Sequence, residues 1–455
     1  MAKTYRPYDP SQAYLLPPSP HDWLPEGHLS YFVLDLVKSL NLRRITSTYE
    51  RELRGFPPHD PRMMVALLIY GYCVGVRSSR QIEKKTHEDV AFRILAGGHH
   101  PDHTCISEFR RKHLDAFVAL FGDVVKLCQQ AGLVKLGHVA IDGTKMKANA
   151  SKHKAMSYDR MMSEEKRLKG VIEQIVAEAE SVDAAEDAEF GKGKRGDEIT
   201  DELLRNPKTR MARIKQLRAE LEAEAAQQRA AATARDNDDD PPPTGAGELP
   251  SHQIPTDKQG KPTPKAQRNF TDADSRIMKA GGDFVQAYNC QAAVDGEHQV
   301  IVAQLVTNQP PDVEHMPAVM EQTALNCGSM PEVATLDAGY FSAENVAYAY
   351  TQGVDVHIPT ERWKHNEAPP LVHGRAPRDM TLKQEMTRKL RTKRGREIYA
   401  RRKAIVEPVF GQIKGARGIR DFLLRGLEKV RGEWSLITLT HNVLKLYRSG
   451  ALQPA

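Results

Sequence analysis

The 455-residue sequence predicts a mixed α/β domain, preceded by an all-α domain and interrupted by a polar helical insertion. Three observations lead there. Apolar residues recur at helical spacing from about residue 28 to 130. From His138 the pattern changes to short β-rich runs alternating with helical ones. Residues 159–230 are rich in Ala, Glu, Lys and Arg and low in aromatics, which reads as long polar helices set into the α/β pattern.

Residues 1–27 are rich in Pro and polar groups and read as an extended arm. Residues 28–134 form the all-α domain. Phe32, Val33, Leu36, Val37 and Leu40 open it at helical spacing, and Asp60-Pro61 starts a second helix, with Pro in the first turn where its missing N–H costs nothing. Met63–Val76 is the longest apolar run, 14 residues, too short to span a bilayer and suited to a buried helix. A helix from Ser78 toward Leu95 stops at Gly97-Gly98, and Asp102 or Thr104 caps the next.

The α/β domain comprises residues 135–158 and 269–448. His138–Asp142 is a short strand, Phe284–Val294 and Gln299–Val306 form a hairpin about Asp295-Gly296, and Val333–Asp337 and Val354–Ile358 are further strands. His315–Leu325 and Ser342–Tyr350 are helices between them, and helices continue to Tyr447. In the insertion, 159–268, the Asp/Pro/Gly-rich part from 235 to 268 reads as a disordered or loose linker.

Composition excludes several classes. The N-terminus carries no apolar signal segment, which predicts a cytoplasmic protein with no membrane association. Five scattered cysteines without a Cys-x-x-Cys argue against a disulfide scaffold or zinc ribbon. No P-loop, nucleophile elbow or His-Glu-x-x-His occurs, and His99-His100-Pro101-Asp102-His103 reads better as a polar loop than as a metal site. The net charge of +6 conceals an asymmetry: 159–248 holds 15 basic and 22 acidic residues, whereas 375–448 holds 20 and 7. The densest part, Arg388–Lys403, has nine basic residues and one acid, which suits a phosphate-binding surface or, taken alone, a solvated helical face.

Three carboxylates stand out. Asp142 and Asp337 each follow an apolar strand, and Glu407 lies in an apolar helical stretch beside the basic block. Carboxyl ends of strands in such sheets open into a shared crevice. A carboxylate there must be paired, hydrogen-bonded or bound to metal. Three of them without His or Cys favour Mg²⁺ or Mn²⁺, and two such ions suit in-line phosphoryl transfer. Singly, each Asp is equally a turn former or a helix cap.

These stretches resemble the DDE transposases of bacterial insertion sequences. Ala140-Ile141-Asp142-Gly143-Thr144-Lys145, Leu336-Asp337-Ala338-Gly339-Tyr340-Phe341 and the run Tyr399–Lys414 carry the resemblance, the last being similar to the Tyr-Arg-Glu-Lys signature of one large subgroup. The all-α domain is similar to the helical domain that precedes the core in that subgroup. The signature usually spaces Arg and Glu by three residues; here Arg402 and Glu407 are separated by four, so either Arg402 or Lys403 fills the Arg position. The resemblance implies an RNase H-like core with Asp142, Asp337 and Glu407 as catalytic residues and ligands of two Mg²⁺ or Mn²⁺ ions. It implies a bacterial, nucleoid-associated enzyme that binds terminal inverted repeats, cleaves the element ends and joins the 3′ ends to target DNA, as a homodimer on double-stranded DNA. A nuclease of the same core without strand transfer, and an inactive DNA-binding derivative, are the alternatives.

Tyr399, Arg402 (or Lys403) and Lys414 are expected to position DNA phosphates. At 100° per residue Lys414 falls about 20° round the helix from Glu407. Pro408 predicts that the helix starts or kinks there, leaving Tyr399 and Arg402 on a preceding helix. Trp363 either stacks on an unpaired end base or packs on the core. Arg110, Arg111 and Lys112 either read the terminal repeats from a helix-turn-helix-like element or form the basic outer face of an ordinary amphipathic helix. Dimer contacts or a shield over the basic groove are the roles open to the acidic insertion.

Overall fold

The computed structural model describes residues 19–50, 57–190, 198–236, 254–361 and 369–451. The chain divides into two compact units: residues 1–131 together with 436–455, and residues 132–435.

The first unit contains α1 (Leu29–Ser39), α2 (Arg43–Glu50), α3 (Pro61–Cys73), α4 (Ser79–Glu88), α5 (Val90–Leu95), α6 (His103–Lys112) and α7 (Leu114–Gln130). Asp60 caps α3 by accepting from the Arg62 N–H at 2.7 Å, with Pro61 in the first turn. Every α3 residue from Met63 to Cys73 is buried, as a helix apolar on all faces requires. Asp89 and Asp102 cap α5 and α6 in the same manner, so in this unit a carboxylate at the start of a helix three times does capping work that sequence alone does not separate from chemistry. Residues 436–455, which take in the second half of the last helix, also belong to this unit. Tyr447 packs its ring against Phe32 at 5.5 Å and donates to the Gly27 carbonyl.

The second unit is built on β1 (His138–Lys147), β2 (Ala155–Ser157), α8 (Tyr158–Phe190), α9 (Glu198–Asp236), β3 (Gln267–Asn269), β4 (Arg276–Ala280), β5 (Asp283–Asp295) and β6 (Ile301–Thr307). These are followed by α10 (Met316–Cys327), β7 (Val333–Thr335), α11 (Ala343–Thr351), β8 (Asp355–His357), α12 (Leu382–Arg391), α13 (Lys393–Gly411) and α14 (Leu427–Ser449). β5 is central to one half of the sheet: β1 pairs along one edge, and β6 and β4 divide the other. Beyond β1 come β7 and β8, both parallel to it. The expected mixed α/β sheet with flanking helices, preceded by a helical region, is the observed architecture and is consistent with an RNase H-like core. The strand at Arg276–Ala280 and the small β2–β3 sheet were not anticipated, because neither is an apolar run.

β1 is longer than its apolar stretch predicts. It continues through Asp142 to Lys147, because β5 pairs with it from Val139↔Asp295 to Lys147↔Ala287. Its pairing with β7 is much shorter, His138↔Val333 to Ala140↔Thr335. Asp142 is therefore mid-strand on one side and at the mouth of a gap on the other.

The insertion is a helical hairpin with its own core. Ile214, Leu217 and Leu221 of α9 pack with Met161 and Leu168 of α8 and with Met156, Ile254 and Ala266. Burial of Ile254 and Ala266, and antiparallel pairing of β3 with β2, show that residues 254–268 are ordered, which corrects the expected loose linker. The residues from 237 to 253 lie outside the described ones, as do 1–18 of the expected arm. No described helix is long and apolar enough to cross a membrane.

Leu217→Ala would remove a fully buried side chain from this hairpin core, at a cost of about 2–5 kcal/mol. Hydrogen exchange should then speed along α8 and α9 while β1 and β5 keep their protection.

Candidate active site

Asp142 and Asp337 meet at the gap where β7 leaves β1. Asp142 Oδ1 accepts from the Gly143 N–H at 2.9 Å, and Asp142 Oδ2 accepts from Arg402 Nη1 at 2.9 Å. Asp337 follows β7 by two residues and caps a single turn of 3₁₀ helix, Ala338–Tyr340, accepting from the Gly339 N–H at 2.8 Å. Burial pushes the Asp142 carboxyl up to about 6; Arg402 opposes the rise and the charge of Asp337 adds to it. A part-buried carboxylate whose proton affinity is raised by burial and by a neighbouring carboxylate stands in a place suited to a cation.

A third carboxylate reaches this cleft from a loop. Asp312 follows β6, and its Oδ1 accepts from Lys145 Nζ at 3.1 Å, Asn289 Nδ2 at 2.7 Å and Gln291 Nε2 at 2.8 Å. Gln291 in turn accepts from the hydroxyl of buried Tyr340. Burial first, then the charges of Asp312, Asp142 and Asp337, hold the Tyr340 phenol well above its ordinary pKa. Gly143 permits the close approach of loop and strand. A Cβ there would sit 2.7 Å from both Asp312 Oδ1 and Gln291 Nε2.

α13 packs over β1, β5, β7 and β8. It runs unbroken from Lys393 to Gly411 with Pro408 inside it, so Tyr399, Arg402 and Glu407 share one helix, which corrects the expected break. Its inner face is Arg402, Ile405, Val406 and Val409. Of the two candidates for the Arg position, Arg402 points to Asp142 and Lys403 faces solvent. Tyr399 is half-buried beside Arg402, and burial raises its pKa.

Glu407 is exposed, on the outer face of the same helix with Lys393, Glu397, Arg401 and Ala404. Five residues beyond Arg402, it lies about 140° round the helix. Among the described residues, the carboxylates of Asp142, Asp337 and Glu407 are not gathered within 4.8 Å of one another; the group that meets that spacing is Glu83, Asp102 and His103 in the first unit.

Lys414 does not continue the face of Glu407. The chain passes into a π-helical turn, Gln412–Ala416, which shifts the phase, and Lys414 Nζ donates to Thr144 Oγ1 at 2.5 Å and to the Lys145 carbonyl at 3.0 Å. Burial lowers its pKa. It braces β1 where phosphate contact was expected.

The basic block divides by role. Arg388, Arg391 and Arg396 donate to the carbonyls of Gly374, Pro370 and Pro369, and Lys389 pairs with Asp355. Lys393, Arg394, Arg401 and Lys403 are exposed. In the first unit Arg110 is buried and donates to the Tyr72 hydroxyl and the Arg77 carbonyl, so it supports the fold and offers DNA nothing, a correction to its expected role. Arg111 and Lys112 are exposed, Lys112 over the Tyr49 ring. Trp363 lies outside the described residues.

Asn289, Gln291, Asp312 and Tyr340 were missed as site residues. The signal for them was polar side chains at alternate positions of an otherwise buried strand, Asn289 and Gln291, which need partners to be tolerated there. Asp312 gave no signal; Asn308-Gln309-Pro310-Pro311-Asp312 reads as a turn.

Asp142 and Asp337 offer oxygen donors with no His or Cys beside them, the kind a hard divalent cation takes; with Asp312 they are not gathered within 4.8 Å of one another, and Asp312 Oδ1 is taken up by three hydrogen-bond donors. The chain matches two family models: Transposase DDE domain over residues 251–443 and Transposase domain (DUF772) over residues 18–112, together more than half of the sequence. No curated protein and no solved structure matches significantly. The fold and the cleft define a DDE-type α/β core behind a helical domain. The chain belongs to the DDE transposases, with the pair of domains typical of bacterial insertion sequences. The DDE match contains Asp337 and Glu407; Asp142 lies upstream of it, ahead of the insertion.

Because the folded Asp142 carboxyl has a raised pKa, protonation favours the folded state, and that contribution is lost as pH rises from about 4 through about 6. Asp142→Asn mimics the protonated form. Its stability relative to the native chain should rise over that window, by on the order of 2 kcal/mol, and level off above it. Thermal melts of both proteins at pH 4 to 8 read the difference; equal pH dependence would contradict the assigned environment.

Proposed function

We propose that the protein is an insertion-sequence transposase that binds terminal inverted repeats, cleaves DNA at the element ends and joins the 3′ ends to target DNA. The observation that carries this reading is the pairing of Asp142 with Asp337 at the β1–β7 gap, with Arg402 held against Asp142. Two divalent ions bound there would activate the attacking hydroxyl and stabilise the leaving 3′ oxygen. Asp142 and Asp337 are the residues that would hold them, and Glu407, carried on the exposed face of α13, is the proposed third carboxylate.

Arg402 supplies the counter-charge to Asp142 and so keeps that carboxylate ionised against the cost of burial. Arg401 and Lys403 flank it in sequence at exposed positions, Lys403 about 40° round the helix from Glu407. In this reading they take DNA phosphates, as sequence-independent positioning contacts. Arg111 and Lys112 serve the same end on the first unit. Lys414 acts indirectly, by holding Thr144 and the Lys145 carbonyl. The contact with Asp142 supports Arg402 rather than Lys403 in the Arg role of the Tyr-Arg-Glu-Lys signature, one residue off its usual spacing to Glu407. A homodimer on DNA follows from the need to bring two ends together.

Cleavage of duplexes carrying the DNA that flanks this gene tests the reading. Asp142→Asn and Asp337→Asn should each lower Mg²⁺-dependent cleavage more than 100-fold, about 3 kcal/mol or more in the barrier. Glu407→Gln should do the same; native-level cleavage by that variant would remove Glu407 from the site. Pre-nicked ends distinguish a transposase, which joins them to a target plasmid, from a nuclease of the same core, which does not. Arg401→Ala with Lys403→Ala should weaken DNA binding uniformly across sequences and reduce its salt dependence by about two phosphate contacts.

A further inference from the structure

We propose that Asp312 is a positioning residue of this centre, and that its charge, acting with Lys145, sets the affinity of the Asp142–Asp337 pair for a divalent cation. The proposal rests on the reading of that pair as the cation site.

The loop from Asn308 to His315 is built to place one carboxylate. Asn289 Nδ2 donates to the Gln309 carbonyl at 3.1 Å, Lys145 Nζ to the Pro310 carbonyl at 2.8 Å and Asn345 Nδ2 to the Val313 carbonyl at 2.6 Å. Gln309 closes the loop on itself, with its backbone N–H on Thr307 and its side chain on Glu314. Two consecutive prolines, Pro310 and Pro311, limit the conformations open to the chain just before Asp312. A turn that only connected β6 to α10 would need none of the donors that β1 and β5 send into it.

The two oxygens of Asp312 have different surroundings. Oδ1 takes three donors, from Lys145, Asn289 and Gln291. Oδ2 lies toward Gly339: a Cβ at that glycine would be 3.0 Å from Asp337 Oδ1 and 3.7 Å from Asp312 Oδ2. The second oxygen thus faces the same glycine as the Asp337 carboxylate. Lys145 sits three residues along β1 from Asp142 and, among the described residues, pairs with the carboxylate of Asp312.

Charge decides what the loop does. With Asp312 ionised, the Lys145 ammonium is balanced and the field at the Asp142–Asp337 pair remains negative. Without it, an uncompensated positive charge stands three residues, about 10 Å, along β1 from Asp142. At an effective dielectric of about 20, a unit charge about 10 Å away changes a divalent cation's affinity by about tenfold or more. A loop carboxylate that only filled space would leave that affinity unchanged.

The test is calorimetric titration of the full-length, divalent-free protein with Mn²⁺ alone, which reads affinity without turnover. Asp312→Asn should bind Mn²⁺ about tenfold more weakly, and Lys145→Met about tenfold more tightly. The double variant, with both charges gone, should return to within about threefold of the native chain. Recovery in the double variant is the readout that a merely structural role would not produce. Asp312→Asn binding as the native chain does, or a double variant no tighter than Asp312→Asn, would overturn the proposal. If Asp312→Asn fails to fold, Lys145→Met decides by itself, since weaker or unchanged Mn²⁺ binding contradicts it. Asp337→Asn is run alongside: native Mn²⁺ affinity in that variant would refute the cation site itself, separately from the role of Asp312.

Discussion

The early end of pairing between β1 and β7 is the constraint on which the site depends. Hydrogen bonding to β7 stops at Ala140, while pairing with β5 continues seven residues further to Lys147. Asp142 is thus fixed by a full ladder on one side and open on the other. β7 ends two residues before Asp337, and the 3₁₀ turn that follows folds the second carboxylate back over the gap. The entry to β1 is fixed with equal care. Buried Asp295 accepts from the backbone N–H groups of Lys135, Leu136 and Glu297, and so holds Leu136 in a left-handed conformation that a β-branched or unsupported residue would resist.

The gap brings an electrostatic requirement that the surrounding elements meet. Acidic groups converge from β1, from the turn after β7 and from the loop after β6. Burial alone would protonate them or drive them apart. Arg402 enters from α13, Lys145 from β1 itself, and Lys414 braces the strand from the π-helical turn. Each cation is held by specific geometry, and each is on a different element. α13 consequently differs between its faces: its inner face closes the cleft with Arg402 between apolar contacts, and Glu407 and Lys403 are exposed on its outer side.

Much of the fold was legible because apolar periodicity responds directly to burial. The runs in β5, β6 and β8 are buried almost throughout, and the all-apolar α3 is buried on every face. Elements that do not depend on apolar runs escaped: β4, whose residues alternate between buried and exposed, and the ordered stretch 254–268, whose Pro and Gly disguise a few well-placed contacts such as Ile254. In the cleft, Asp142 and Asp337 were legible by their setting, while Arg402 and Lys403 stood as alternatives. Asp312 was not, because its partners come from other strands, Asn289 and Gln291 more than 20 residues away and Lys145 more than 160, and no local pattern records such hydrogen bonds. Arg110 shows the converse: a basic triplet invites a DNA contact, yet burial against Tyr72 commits one of its members to the core.

The sequence by itself determined the two-part architecture, the polar insertion, the pair of aspartates after apolar strands and the transposase family. Each of these is written in local composition or in a short motif. Only the tertiary structure decided which charges meet at the β1–β7 gap and which brace the fold. The choice of Arg402 over Lys403, the inward turn of Lys414, the outward one of Glu407 and the presence of Asp312 all follow from how one helix and one loop lie against β1. Those placements are set by packing between elements distant along the chain, and a linear pattern carries no record of them.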